Sequence, residues 1–302
     1  MSKYLVRVEN SKQGTLRYNR AVLVIGSIIF LFMFVAAVPL VQARQEQIPR
    51  VEVHEERRGV TRFEEYIALS PALGLPPGSF YKVNVYAFST KEGVVLIDSG
   101  AEDLYPQLIK KIGKRFNNMP IAAVLLTHGH ADHASAGRFF VDQGVPVYAP
   151  IGDEWMVLSG LNFPGVPEDF SYTPYTPSGL LYGGEEMFGL KVIPTPGHTP
   201  GSVSFLGEKK GFLFSGDATM SYSDDDKGDL DMTFELEYMT LQMSDNFSLQ
   251  TQLYSLDVLS GLAASGQVST ILPGHNEAYY GKDVQPYIQD SIDVVTQVLM
   301  MR

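Results

Sequence analysis

Ile121-Ala122-Ala123-Val124-Leu125-Leu126 leads through Thr127 into His128-Gly129-His130-Ala131-Asp132-His133. The first six residues are a short unbroken apolar run, the pattern of a buried strand. The last six hold half of the protein's 6 histidines, beside an aspartate. A strand end that opens into a loop is where layered α/β proteins place their ligand sites. His128 and His130 stand two apart, so in extended or looped backbone both rings can point to one side. Imidazole nitrogen and carboxylate oxygen are the ligands zinc takes when no thiolate is offered. Four such groups in so short a run are too many for one metal with an open position, and suit two.

Three further residues repeat the setting. His198 lies in Thr195-Pro196-Gly197-His198-Thr199-Pro200-Gly201, just beyond the apolar run Leu190–Pro194. The prolines and glycines there make a rigid, tightly turned loop that can fix an imidazole. Asp217 closes Phe214-Ser215-Gly216-Asp217, and His275 closes Leu272-Pro273-Gly274-His275. Each is a metal-type residue just past a β-run and beside a glycine. His54, in Val53-His54-Glu55-Glu56, has no such setting and reads as a surface or hydrogen-bonded residue.

The rest of the chain alternates strands and helices. Val83–Phe88 and Val94–Ile97 are β-branched runs around Lys91-Glu92-Gly93, a hairpin pattern. Leu104–Lys114 carries apolar residues at 104, 108, 109 and 112, a helical period. Ala134–Gln143 reads as a helix, and Val145–Tyr148, Ser202–Leu206, Gly211–Phe214 and Val268–Leu272 read as strands. Two C-terminal helices follow, the last beginning near Asp283 with Ile288, Ile292, Val295 and Leu299 at helical spacing. Strands and helices mixed throughout predict a layered α/β domain. Two long irregular stretches interrupt it, Gly160–Gly184 and Tyr222–Asp231, and such loops are usually functional lids or disordered segments. Phe163, Phe170, Tyr172, Tyr175 and Tyr182 in the first either line a substrate groove or pack the loop. The run Asp224-Asp225-Asp226-Lys227-Gly228-Asp229 lacks the alternating ligands and terminal glutamate of an EF-hand and reads as a solvated loop.

Composition narrows the partners. The net charge of −11 argues against nucleic acid, which needs an extended basic surface. The absence of cysteine removes disulfides, thiolate ligands and a cysteine nucleophile together. A small-molecule substrate is the expectation, and the oligomeric state stays open. Ala21–Ala43 is free of charge and long enough to cross a bilayer. Lys3, Arg7, Lys12, Arg17 and Arg20 precede it against the single acid Glu9, which keeps the N-terminus cytoplasmic and exports the rest. Two outcomes fit: a membrane anchor, the favoured one, or a signal peptide cut after Val41-Gln42-Ala43, which leaves a secreted or periplasmic domain. The organisation expected is a basic cytoplasmic segment (1–20), a transmembrane or signal helix (21–43), a polar spacer (44–58) and a catalytic domain (59–302).

The HxHxDH run resembles the signature of the metallo-β-lactamase superfamily, and the later His198, Asp217 and His275 are similar to its remaining ligands in order and setting. Val95-Leu96-Ile97-Asp98-Ser99-Gly100 resembles the family's early strand motif. The resemblance covers roughly Gly78–Glu277. It implies a four-layer αβ/βα sandwich with the site along one edge. It also implies one metal on His128, His130 and His198, a second on Asp132, His133 and His275, and Asp217 bridging them. Asp98 is then the support of the metal loop. Two zinc ions are implied, with iron or manganese open as other divalent metals. Such a pair shares a water and lowers its pKa, so that hydroxide attacks a carbonyl or phosphoryl centre while Asp132 orients it. The family's β-lactamases usually carry Cys or Ser where Asp217 stands. An aspartate there resembles the lactonases, thioesterases and phosphodiesterases. The expected activity is therefore hydrolysis of an ester, lactone or thioester. Three alternatives remain: β-lactamase-like amide hydrolysis, a persulfide dioxygenase-like reaction with one iron on residues matching His128, His198 and Asp217, and a metal-binding protein without turnover.

Overall fold

Val94, Val95, Leu96 and Ile97 are all buried, yet they face two different cores. Val94 and Leu96 join a cluster with Leu108, Ile112 and Phe140, while Val95 and Ile97 join Phe205 and Phe214. Successive side chains of a strand point to opposite faces, so a strand covered on both sides reads as a continuous apolar run. The computed structural model describes residues 49–68, 80–161, 171–209, 211–219 and 248–300.

A seven-stranded sheet runs in chain order: β1 (Arg50–Glu55), β2 (Val60–Ala68), β3 (Phe80–Ser89), β4 (Val94–Ile97), β5 (Ile121–Leu125), β6 (Val147–Pro150) and β7 (Gly179–Leu181). β1 to β4 pair antiparallel, and β4 to β7 pair parallel. The parallel half is connected through helices α1 (Tyr105–Arg115), α2 (Ala131–Ala134), α3 (Gly137–Asp142) and α4 (Glu154–Ser159). The second sheet holds β8 (Glu186–Met187), β9 (Leu190–Pro194), β10 (Val203–Gly207), β11 (Phe212–Gly216), β12 (Thr270–Pro273) and β13 (Tyr279–Tyr280), all antiparallel except the β11–β12 pair. Helices α5 (Leu249–Ala264) and α6 (Val284–Met300) cover it.

Three cores separate four layers. One lies between the first sheet and its helices, one between the second sheet and α5 and α6, and one between the sheets. The inter-sheet core is aromatic: Tyr86 lies 5.4 Å from Phe214, ring to ring, and Phe205 and Phe212 extend the cluster. Fully burying each such side chain stabilises the fold by roughly 1.5–3 kcal/mol. The layers match the αβ/βα sandwich expected from the sequence.

Three local readings need correction. Residues 50–55, inside the stretch expected to be a spacer, form β1, which pairs with β2 from Arg50↔Tyr66 to Glu55↔Thr61. The polar alternation of RVEVHE is that of an edge strand with one wet face. The helix expected over 134–143 is divided into α2 and α3, because the Ala136 amide leaves the helical ladder to donate to Gly100 O at 3.0 Å. Strand β2 was unforeseen, since its sequence VTRFEEYIA mixes charges into the run. The apolar segment 21–43 and the stretch 222–231 lie outside the described residues, as do Phe163 and Phe170. Among the described residues no helix is long and apolar enough to cross a membrane.

Candidate metal centre

The ends of strands from both sheets meet at one edge. From the first sheet, β4 runs into Asp98 and β5 into the loop and short helix that carry His128, His130, Asp132 and His133. From the second, β9 runs toward His198, β11 into Asp217 and β12 toward His275. All seven predicted ligands converge there. His128 Nε2 lies 3.2 Å and His198 Nε2 2.9 Å from His130 Nδ1. His133 Nε2 is 3.4 Å from His275 Nε2 and 3.3 Å from Asp132 Oδ2, and His275 Nε2 is 3.5 Å from that same oxygen. Asp217 sits between the trios. Its Oδ2 is 3.6 Å from His128, 3.3 Å from His198 and 3.2 Å from His275, and its Oδ1 is 3.4 Å from His133.

The outer hydrogen bonds decide which ring nitrogens are bare. Asp98 can only accept, so His133 Nδ1–H donates to its Oδ2 at 2.9 Å. Thr127 Oγ1–H also donates to the Asp98 carboxylate, which leaves the Thr127 oxygen to accept from His128 Nδ1–H at 3.0 Å. His275 Nδ1–H donates to the carbonyl of Lys82. Each of these three imidazoles therefore turns an Nε2 lone pair inward, the arrangement that a metal-ligating histidine requires.

The electrostatics agree. Burial, helped by neighbouring imidazoles, pushes His128 well down, His130 down to about 3 and His198 down to about 4, so these rings are neutral. Burial opposes the charge on Asp132 and Asp217, but the surrounding imidazoles outweigh it, holding Asp132 at about 2 and Asp217 well below the carboxylate range. Burial likewise opposes charge on His133, yet Asp217, Asp132 and Asp98 outweigh it and push its pKa well up. The carboxylates thus demand positive charge at the position its Nε2 faces. Asp217 Oδ1 is buried and receives no hydrogen bond among the described residues. Neutral imidazoles at His128, His130 and His198, ionised carboxylates at Asp132 and Asp217, and the negative charge gathered around His133 fit divalent-cation binding. His128, His130 and His198 could hold one, Asp132, His133 and His275 the other, and Asp217 touches both groups. His128, His133, His198 and Asp217 are buried at the base, whereas His130, Asp132 and His275 are half-buried and leave one side open.

Backbone constraints explain the glycines in these motifs. A Cβ on Gly274 would lie 2.1 Å from Asp217 Oδ1, and one on Gly100 would lie 2.5 Å from Glu65 Oε1. Asp98 itself adopts a φ of +65°, the left-handed region that aspartate tolerates better than most residues.

Several supporting residues escaped the sequence reading. Glu65 is buried beneath the motif and accepts the Ala101 amide at 2.8 Å. Burial pushes its pKa up to about 8. Arg62, also buried, bonds Glu56, Glu64 and the Glu277 that follows the last ligand. Asn84 donates to Pro273 O and Asn276 O, so β3 grips the His275 loop from both ends. Asp153 accepts three hydrogen bonds from the two loops that bear the first trio, and burial still pushes it up to about 6. An aspartate shortly after a β-run was the available signal for Asp153; charges inside an apolar strand were the signal for Arg62 and Glu65. In the 160–184 stretch, Tyr172 donates to Gly129 O and Tyr175 to Ala134 O, each at 2.8 Å and nearly buried. These two rings pack the metal loop, while Tyr182 is exposed. His54 lies on β1 beside Glu52 and Glu64, away from the seven.

Comparison with known proteins points to one superfamily. The chain is 32% identical over 152 residues to the uncharacterized protein YobT of Bacillus subtilis, covering 46% of this chain and 63% of that one. It is 31% identical over 150 residues to a hydroxyacylglutathione hydrolase of Bdellovibrio bacteriovorus, covering 46% of this chain and 50% of that one. The chain thus spans less than two thirds of the length of these curated relatives. A solved metallo-beta-lactamase from Pontibacter korlensis shares the fold with a TM-score of 0.61 at 19% identity, over 82% of this chain and 99% of that one. The sequence model of the metallo-beta-lactamase superfamily matches residues 78–275, from just before β3 to the last ligand. Fold, ligand convergence and sequence match together make this chain a member of the metallo-β-lactamase superfamily.

Proposed function

We propose that the chain is a metal-dependent hydrolase that carries two divalent cations, zinc foremost, and cleaves an ester, lactone or thioester. The observation that carries this reading is the convergence of two ligand trios on one aspartate, Asp217, with one side open. When bound, the cations supply Lewis acidity and water of lowered pKa, the chemistry of hydrolysis at neutral pH. The chain's own part is positional. Asp98, Thr127 and the Lys82 carbonyl hold three imidazoles in the tautomer with Nε2 bare. Asp217 neutralises charge between the trios. Asp132, half-buried, is the carboxylate to which we assign the orientation of the attacking water. An aspartate at 217 and the similarity to a hydroxyacylglutathione hydrolase both favour an ester, lactone or thioester substrate over an amide.

The test is metal analysis of the full chain alongside a panel of esters, lactones, thioesters and β-lactams. About two zinc per chain with turnover of the acyl substrates supports the proposal. One iron per chain with oxygen consumption on a persulfide would replace it, because Asp132, His133 and His275 would then hold nothing. Asp217→Asn should lower metal content and turnover together, and His54→Ala should change neither.

We also infer that this domain lies outside the cytoplasm, tethered through residues 21–43, from the order of basic and apolar residues at the N-terminus.

A further inference from the structure

The three histidines of the first trio come from different sheets, and one carboxylate bonds both of their loops. Asp153 stands after β6, just before α4, with no exposed surface. Its Oδ2 accepts the Gly129 amide at 3.0 Å and the Thr199 hydroxyl at 2.6 Å, and its Oδ1 accepts the Gly201 amide at 2.7 Å. Gly129 lies between His128 and His130, and Thr199 follows His198. The surroundings are shaped to admit this carboxylate. A Cβ on Gly201 would lie 2.5 Å from Asp153 N, one on Gly152 would lie 2.7 Å from Gly201 Cα, and one on Gly129 would lie 2.8 Å from Met156 Cβ. A Cβ on Gly129 would also lie 3.1 Å from Asp153 Cβ, so the Gly129 and Gly201 loops both pack directly on this residue.

We propose that Asp153 is the positioning residue of the three-histidine site, setting the separation of the His128–His130 loop from the His198 loop and so the affinity for the cation they hold. This rests on the dinuclear reading above. Asp153 meets no ligand atom; it acts through Gly129 and Thr199. Its acceptor capacity is essential, since three donors converge on it. An asparagine has one acceptor oxygen, and its NH₂ would face either the Gly201 amide or the Gly129 amide, which removes at least one of the three hydrogen bonds and weakens the clamp between the loops.

The experiment titrates the chelator-stripped full chain with Co²⁺, following both equivalents by visible absorbance, with thermal melts alongside. Asp153→Asn should weaken one equivalent by about 10–100-fold, the usual consequence of losing such a supporting partner. The other equivalent should be unchanged. Thr199→Val, which removes one donor and leaves Asp153 in place, should weaken the same equivalent, and Thr199→Ser should restore it. A lower melting temperature for Asp153→Asn with both affinities intact overturns the proposal, as does equal weakening of both equivalents. If Asp153→Asn does not fold, the threonine pair decides, and equal affinities for Val and Ser overturn it. A wild-type chain that takes up no cobalt fails the dinuclear reading itself, a result distinct from wild-type uptake with no effect of the variants.

Discussion

His133 donates its Nδ1–H to Asp98 Oδ2 at 2.9 Å, and the same carboxylate takes the backbone and hydroxyl protons of Thr127. Asp98→Asn cannot satisfy all of these donors. With its oxygen kept by Thr127, the new NH₂ faces His133 Nδ1 and drives that ring to the tautomer protonated at Nε2. The variant should lose about 10–100-fold in metal affinity, and excess metal should recover part of kcat/KM. Competition against a chromophoric chelator measures this. Wild-type affinity in Asp98→Asn would show that the tautomer is set elsewhere.

Arg62 is buried among Glu56, Glu64 and Glu277, at 2.8 Å from each of the first two. Removing one partner of a buried ion cluster leaves uncompensated charge, and Arg62→Met should therefore destabilise the fold by roughly 3–5 kcal/mol. Glu277 has a side chain 69% exposed, so Glu277→Gln should cost less than about 1 kcal/mol. Urea denaturation of the two variants compares them directly, and equal midpoints would contradict the assignment.

The pH dependence of stability should carry the mark of Glu65. Burial raises its pKa from the ordinary 4.5 to about 8 in the fold. The fold thus holds the proton more tightly than the unfolded chain, and the contribution is fully present below pH 4.5. Stability is lost as pH rises from there through about 8. Glu65→Gln keeps a neutral acceptor for the Ala101 amide. It should flatten that decline and be more stable than wild type above pH 8. Denaturation midpoints of the chelator-stripped proteins across this range provide the check; parallel curves would rule Glu65 out.

A reporter active only in the cytoplasm, fused after Arg302, should give no signal if residues 21–43 place the domain outside. A strong signal would reverse the topology.

Much of the site was legible because its residues carry chemistry that the chain uses sparingly. Of 6 histidines, those at 128, 130, 133, 198 and 275 each follow an apolar run, and the structure brings them together with Asp132 and Asp217. The central strands were equally readable, since β4 and β5 are buried on both faces and leave unbroken apolar sequence. What stayed hidden was tertiary. Arg62 and Glu65 sit in a strand whose charges resemble surface, and only their partners reveal them as interior. Tyr172 and Tyr175 could not be placed because a loop sequence does not say which carbonyl a phenol reaches. The polar alternation of β1 has the composition of a tether, and only pairing with β2 makes it a strand.

The two sheets each supply an incomplete set of ligands. His128, His130, Asp132 and His133 belong to the half ending in β7, and His198, Asp217 and His275 belong to the half that follows. Neither half alone can complete either trio with Asp217 between them. A bound cation is therefore a stitch across the seam between the sheets, and its binding free energy opposes their parting. Cation uptake becomes a report on assembly: a chain that has folded one half and not the other stays empty and inactive. Chelation should then show first as faster amide exchange along the seam, at the ends of β5, β9, β11 and β12, before the outer faces of the helices respond.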